Sequence, residues 1–198
     1  MGRYDTILRY IRGRIRIPDE VINRDEPILL HISDTPRVIF NSLAEMIDII
    51  QPEYIIHTGD LVDNLKLELF PNLALQYQKK VKKIIKIIKC SKVMSYIALG
   101  NHDQMEVENF ADDKLHVSQN KTKVMIEGLT IAFNHRYVSG NETDFFLYGH
   151  DETISDQANE LNGIKKIYVI FLHSKKIIEM DYPWGTDEQR MRITSIGM

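Results

Sequence analysis

Five segments of this chain share one form: a short apolar run that ends in residues able to bind a metal or move a proton. They are PILLHISD (27–34), EYIIHTGD (53–60), KVMSYIALGNHD (92–103), LTIAFNH (129–135) and DFFLYGHD (144–151). Runs this rich in Ile, Leu, Val and Phe read as strands buried on both faces. Between the first two lies RVIFNSLAEMIDIIQP, where Ile39, Leu43, Met46, Ile47 and Ile50 recur at helical spacing before Pro52 stops the helix. Strand, helix, strand is the βαβ order of an α/β sheet. The 198 residues fit a single domain over 1–198, and a composition 43% hydrophobic and 27% charged excludes disordered and collagen-like chains.

LALQYQKKVKKIIKIIKCSK (73–92) predicts a second long helix, with Val81, Ile84, Ile85 and Ile88 on one stripe. Lys79, Lys82, Lys83, Lys86 and Lys89 lie largely opposite and read as a solvent face; without interleaved aromatics they leave nucleic-acid binding open but do not indicate it. KKIYVIFLHSKKIIEMDYP predicts a hairpin with HSKK at its turn. The N-terminal stretch, to about residue 26, is a basic extension in which Ile7, Leu8 and Ile11 share a face of a short helix, and packing on the domain is favoured over an anchor. No apolar run approaches the roughly 18–20 residues that span a bilayer. A single cysteine, Cys90, permits no internal disulfide, so a cytoplasmic location is expected. The net charge of −3 gives no global argument for nucleic acid or membrane.

Open α/β sheets place ligands beyond the carboxyl ends of their strands. That rule collects Asp34, Asp60, Asn101, His102, Asp103, His135, His150 and Glu152, all but Glu152 at a strand end or in the turn after it. Any one of these is more often a surface or core group than a ligand; it is their joint occurrence that points to a metal. Mixed carboxylate, imidazole and amide oxygen donors suit Mn²⁺, Fe or Zn²⁺, whereas an all-carboxylate set leans to Mg²⁺ or Ca²⁺. His31 and His57 each precede a motif aspartate by three residues, an odd offset that turns a strand side chain to the other face, so both read as structural. His116 and His173 fall outside the pattern.

The ordered series SDTP, HTGDLVDN, ALGNHD, FNH and YGHDE resembles the calcineurin-like metallophosphoesterases, whose pattern is DxH, GDxxD, GNHD or GNHE, a lone His, then GHxH. The resemblance implies an αββα sandwich, two mixed sheets flanked by helices, with a two-metal site at one edge. It also implies hydrolysis of a phosphate mono- or diester by a metal-activated hydroxide. Asp60 would bridge the metals, and Asn101, His135 and His150 would complete the second site. The first site would use Asp34, Asp60 and the last residues of DxH and GHxH, which here are Pro36 and Glu152. Proline has no donor atom, and Glu152 offers oxygen in place of imidazole, so both departures fall on one metal.

Asp34, Asp60 and Glu152 are expected to hold a hard cation there weakly, with Mn²⁺ favoured over Fe, Zn²⁺ or Mg²⁺ and one or two ions per chain. His102 would stabilise the phosphoryl oxygens or protonate the leaving group, with Asp103 orienting its imidazole. Arg136, Asn101 and His102 are the candidate substrate contacts. Asp63 and Asn64 are expected to fix the loop after Asp60 through bonds to backbone. The alternative is the same fold with catalysis lost, serving as a scaffold. The substrate beyond a phosphate ester, the oligomeric state and the role of Trp184 carry no signal.

Overall fold

The computed structural model describes residues 13–89, 93–140, 142–151 and 158–191. The first apolar run forms β1 (Ile28–Ile32), all five residues buried. Its alternation explains why no polar face is needed. Leu30 and Ile32 join a core with the helices, while Leu29 points the other way, into a core shared with a second sheet.

Helix α2 (Phe40–Ile50) buries Phe40, Leu43, Met46, Ile47 and Ile50, and Gln51 in a left-handed conformation ends it before Pro52. A short turn of helix, α1 (Asp19–Ile22), precedes β1. β2 (Tyr54–His57) and β3 (Met94–Ala98) continue the parallel order predicted by the βαβ reading, with α3 (Ala74–Ile88) between them. The α3 helix buries Tyr77, Val81, Ile84, Ile85 and Ile88, and Lys79, Lys82, Lys83 and Lys86 face solvent. It stops at Ile88 rather than 92, and Cys90 lies outside the described residues.

The six-stranded sheet runs β10-β9-β1-β2-β3-β4, with β4 at Leu115–Ser118 and the antiparallel hairpin β9 (Ile167–Phe171) and β10 (Ile177–Met180) at the far edge. The segment 173–176 connects that hairpin, as the sequence predicts. The second sheet runs β5-β6-β7-β8: β5 (Thr122–Ile126), β6 (Leu129–Phe133), β7 (Phe145–Tyr148) and β8 (Glu160–Asn162). Leu29, Ile56 and Ile170 of one sheet meet Ile131, Phe133 and Leu147 of the other in one buried cluster. The helices α2 and α3 pack on the opposite face of the large sheet. This is the α/β sandwich of two mixed sheets flanked by helices that the motif series implies.

Strands β4, β5 and β8 were not anticipated from sequence. Each is short or at an edge, and β5 alternates exposed and covered residues, so none shows a continuous apolar run. The last described element is α4 (Thr186–Met191). Of the basic extension, Ile15 and Val21 are buried in the helix-side core and Arg14 pairs with Glu45, so residues 13–26 pack on the domain. The helix expected around Ile7–Ile11 lies outside the described residues.

Candidate metal centre

The carboxyl ends of β1, β2, β3, β6 and β7 meet at one edge, and backbone bonds hold their loops in register. Asp34 and Thr35 N–H donate to the Gly59 and Asp60 carbonyls at 2.9 Å each, and Gly149 N–H donates to the His135 carbonyl at 2.9 Å. Three candidate ligands sit in left-handed backbone: Asp34 (φ 48°), Asp60 (φ 55°) and His150 (φ 64°). Such conformations cost on the order of 1–3 kcal/mol and cluster at functional sites. Here they turn each side chain back over its strand end.

The centre is built around His135. Its Nδ1–H donates to the Thr58 carbonyl at 2.7 Å, which fixes the ring and leaves Nε2 as a lone-pair donor. Nε2 lies 3.0 Å from Asn101 Oδ1, 3.1 Å from His150 Nδ1 and 3.5 Å from Asp60 Oδ2. Two imidazole nitrogens, an amide oxygen and a carboxylate therefore converge on one point. Two nitrogens cannot face one another at this distance unless a cation or a proton lies between them. Burial opposes a charge on His135, but its hydrogen bond to Asp60 and the charges of Asp60 and Asp34 outweigh this and raise its pKa to about 10. Asp60 goes the other way: despite its burial, His135 and His102 hold its carboxyl well below the usual range. The donor set fits a divalent ion of the Mn²⁺, Fe or Zn²⁺ kind.

The amide of Asn101 is oriented by Glu68, whose carboxylate accepts from Nδ2 at 2.5 Å and so turns Oδ1 toward His135. Glycine is required beside this set. A Cβ on Gly100 would lie 2.1 Å from Asp60 Oδ1, and one on Gly149 would lie 2.0 Å from Ser33 Oγ.

His102 is buried beside Asp60, to whose Oδ1 its backbone N–H donates at 2.9 Å. Its Nδ1 accepts the Glu68 N–H at 3.3 Å, leaving Nε2 to carry the proton. Burial lowers its pKa, with Asp60 acting against this and Lys66 with it. Among the described residues Asp103 makes no hydrogen bond to the His102 ring. Its carboxylate accepts from Asp60 N–H (2.8 Å), Leu61 N–H (2.9 Å), Gly100 N–H (2.9 Å) and the Tyr77 hydroxyl (2.7 Å). It fastens the loop bearing Asp60 to the loop bearing Asn101.

Asp63 also departs from expectation. Instead of bonding to backbone it takes Lys66 Nζ on both oxygens, at 2.6 and 2.8 Å, whereas Asn64 Oδ1 does accept the Arg37 N–H at 2.8 Å. Burial and the charges of Asp34 and Asp60 push the Asp63 carboxyl up to about 8, and Lys66 offsets them only in part. Donor atoms of Asp60, Asp63 and His102 lie within 4.8 Å of one another, a second cluster.

The first site is not assembled in the same way. Asp34 Oδ2 accepts from the Ser33 hydroxyl at 2.5 Å and the His150 N–H at 3.2 Å. Among the described residues Asp34 belongs to no group of three converging metal donors. Pro36 is buried and starts a short helical turn, and Glu152 lies outside the described residues. Arg136 is exposed and, with Lys121, Asn134, Asn101 and His135, lines an open cleft of about 590 Å³ in front of the cluster.

His57 and His31 are structural, as their offset suggests. His57 Nδ1 accepts the Gly59 N–H at 3.1 Å and its Nε2 lies 3.0 Å from Thr35 Oγ1, tying the two loops, while His31 meets Thr58 Oγ1 at 3.0 Å. Two residues far along the chain had no sequence signal. The buried Arg190 donates through Nε to the Asp34 carbonyl at 2.7 Å and stacks 3.9 Å over Tyr182, whose hydroxyl accepts the Ser33 N–H at 3.1 Å.

A family model described as calcineurin-like phosphoesterase matches residues 28–192. Among solved structures, a novel archaeal phosphodiesterase aligns with a TM-score of 0.51 at 14% identity, over 77% of this chain and 98% of that one. YfcE, a phosphoesterase from E. coli, aligns at 0.49 and 16% identity, over 79% and 99%. No curated protein sequence matches the chain.

Proposed function

The chain belongs to the calcineurin-like phosphoesterase family, and from that premise we propose that it hydrolyses a phosphate mono- or diester with a divalent ion held by Asp60, Asn101, His135 and His150. The observation that carries this reading is the convergence of three donor atoms on His135 Nε2, whose ring is already turned by Thr58. When bound, the ion supplies positive charge to a phosphoryl oxygen and makes a water acidic enough to attack phosphorus. The mixed nitrogen and oxygen donors suit Mn²⁺, Fe or Zn²⁺, and Mn²⁺ is the ion we favour.

The protein's own groups do the rest. His102, with Nδ1 accepting the Glu68 N–H, presents Nε2–H as a hydrogen-bond donor to a phosphoryl oxygen; the water oxygen would bond to phosphorus as the ester P–O bond breaks, and the proton lost by the water ends on the departing ester oxygen. Arg136 in the cleft wall meets the remaining phosphate charge. Asp34 orders the loop of His150 through its N–H, and the family's first metal position is altered at Pro36 and Glu152.

The scaffold reading has one observation in its favour, that Pro36 removes a ligand outright. Hydrolysis of bis-p-nitrophenyl phosphate and p-nitrophenyl phosphate with added Mn²⁺ separates the two. Turnover abolished by Asp60→Ala or His150→Ala supports the enzyme. No turnover with Mn²⁺, Mg²⁺, Fe²⁺ or Zn²⁺ supports the scaffold.

A further inference from the structure

A chain that has lost an imidazole at one of two metal positions still has to place positive charge opposite the phosphate. We propose that the Lys66 ammonium, clamped on the buried Asp63 carboxylate, binds the substrate phosphate in place of the first metal ion, so that the working centre holds one metal ion and one lysine. This rests on the phosphoester hydrolase reading and names what replaces the altered half of its site.

The geometry is specific. Asp63 is fully buried, and it bonds Lys66 Nζ through both oxygens at 2.6 and 2.8 Å. A carboxylate oxygen of Asp63 lies within 4.8 Å of a donor oxygen of Asp60 and of a ring nitrogen of His102. The ammonium is thus held on the carboxylate that adjoins both Asp60 of the metal cluster and His102. Its side chain is 17% exposed, so one side still opens to solvent. An ammonium has three N–H donors. Two are taken by Asp63, and among the described residues no third acceptor is bonded to it, which leaves one for a phosphoryl oxygen. The backbone of Lys66 is itself left-handed (φ 45°) and ends the turn Asp63–Leu65, which directs the side chain back over Asp63.

The same arrangement argues against a displaced metal ion at the cluster of Asp60, Asp63 and His102. The cation position beside Asp63 is already filled by the lysine. Asp34, the carboxylate that would draw a first metal, has its Oδ2 engaged by the Ser33 hydroxyl and the His150 N–H. A half-buried lysine on a buried aspartate is not a device for stability, since an apolar pair of similar volume serves as well or better. Its placement is explained by a need for fixed positive charge at this point.

The test uses the full chain loaded with one equivalent of Mn²⁺ and titrated with inorganic phosphate by calorimetry. Lys66→Met is expected to weaken phosphate binding at least about tenfold and to lower kcat/KM about 10²–10³-fold, the range found for a lost transition-state donor. Lys66→Arg should stay within about threefold of wild type in phosphate affinity, because it keeps the charge. The wild type should saturate at one Mn²⁺ per chain. Because Lys66→Met strands a buried carboxylate, the double variant Lys66→Met, Asp63→Asn repeats the measurement with no unpaired charge and should show the same loss of phosphate binding. Phosphate affinity within about twofold of wild type in the double variant overturns the proposal, as does a wild type that binds no phosphate or takes up two Mn²⁺ per chain. Phosphate binding that depends on Lys66 but comes without turnover on either ester overturns the hydrolase reading and supports the lysine's role as the phosphate site.

Discussion

Asp103→Ala isolates how the centre is held together. The carboxylate receives four donors, three of them backbone N–H groups of the Asp60 and Gly100 loops and the fourth the Tyr77 hydroxyl. Each buried donor left without a partner costs roughly 1–3 kcal/mol. With water entering to satisfy one or two of them, alanine should cost about 3–5 kcal/mol of stability in urea denaturation followed by circular dichroism. Asparagine should be milder. Its oxygen can serve Asp60 and Gly100 while its amide faces Tyr77, whose hydroxyl turns to accept, so that only the Leu61 N–H is opposed and the cost is about 1–2 kcal/mol. Both loops carry metal donors, so Mn²⁺ affinity by calorimetry should fall about 10–100-fold in the alanine variant and less in the asparagine one. The alternative, a carboxylate that orients His102, predicts a different pattern: kcat falls while stability and metal affinity hold. Stability of Asp103→Ala within about 1 kcal/mol of wild type, with unchanged Mn²⁺ affinity, refutes the loop-fastening role.

Two further outcomes follow from the same coordinates. Burial lowers the pKa of both His31 and His57 to about 3, so below the unfolded value near 6.5 the unfolded chain takes up protons that the folded one refuses. The pair should cost about 2–3 kcal/mol of stability per pH unit as pH falls through that window. His135 contributes with the opposite sign: raised to about 10 in metal-free protein, it stabilises in full below about pH 6.5 and loses that contribution as pH rises toward 10. Asp63, raised to about 8, and Asp103, raised to about 6, lose stability as pH rises toward those values and so oppose the histidine pair. The His31 contribution is therefore read as the difference between wild type and His31→Gln, whose stability in urea should fall less steeply below pH 6.5 by about 1 kcal/mol per pH unit, and an unchanged slope would contradict the assignment. Gly100→Ala brings a Cβ to 2.1 Å from Asp60 Oδ1 and 2.6 Å from Asp60 N, which must displace the carboxylate. Mn²⁺ affinity should drop by about 100-fold, and a loss smaller than about threefold would show that the Asp60 loop yields at little cost.

The sheet was legible where burial on both faces leaves a continuous apolar run. β1, β2, β7 and β9 show it, and α2 and α3 declare themselves by their buried stripes. The edge strand β5 exposes Lys123 and Met125 on one face, and the three-residue β8 buries polar Glu160 and Asn162 beside Leu161. Neither has the apolar density that separates a strand from a loop, so the second sheet was only half visible. Its inner face is nonetheless set by the strands that were visible, since Ile131, Phe133 and Leu147 share one buried cluster with Leu29 and Ile56.

At the centre, spacing shows which residues reach the sheet edge but not which way each turns once there. Asn101, His102 and Asp103 are consecutive, yet they serve different partners: the Asn101 amide faces His135, the His102 N–H faces Asp60, and the Asp103 carboxylate gathers backbone donors. A three-residue turn reverses direction at every step, so adjacency could not identify Asp103 as a fastener. Asp63 and Lys66 form an i, i+3 pair that a sequence reader would place on a solvated face, and only the burial of Asp63 marks it otherwise. Arg190 and Tyr182 are harder still. They reach the Ser33–Asp34 backbone from about 150 residues away, bonding carbonyls and an N–H that any residue would present. Such contacts leave no periodicity or composition to read. They also hold the Asp34 loop from behind, through its backbone, which keeps the left-handed turn of Asp34 in place.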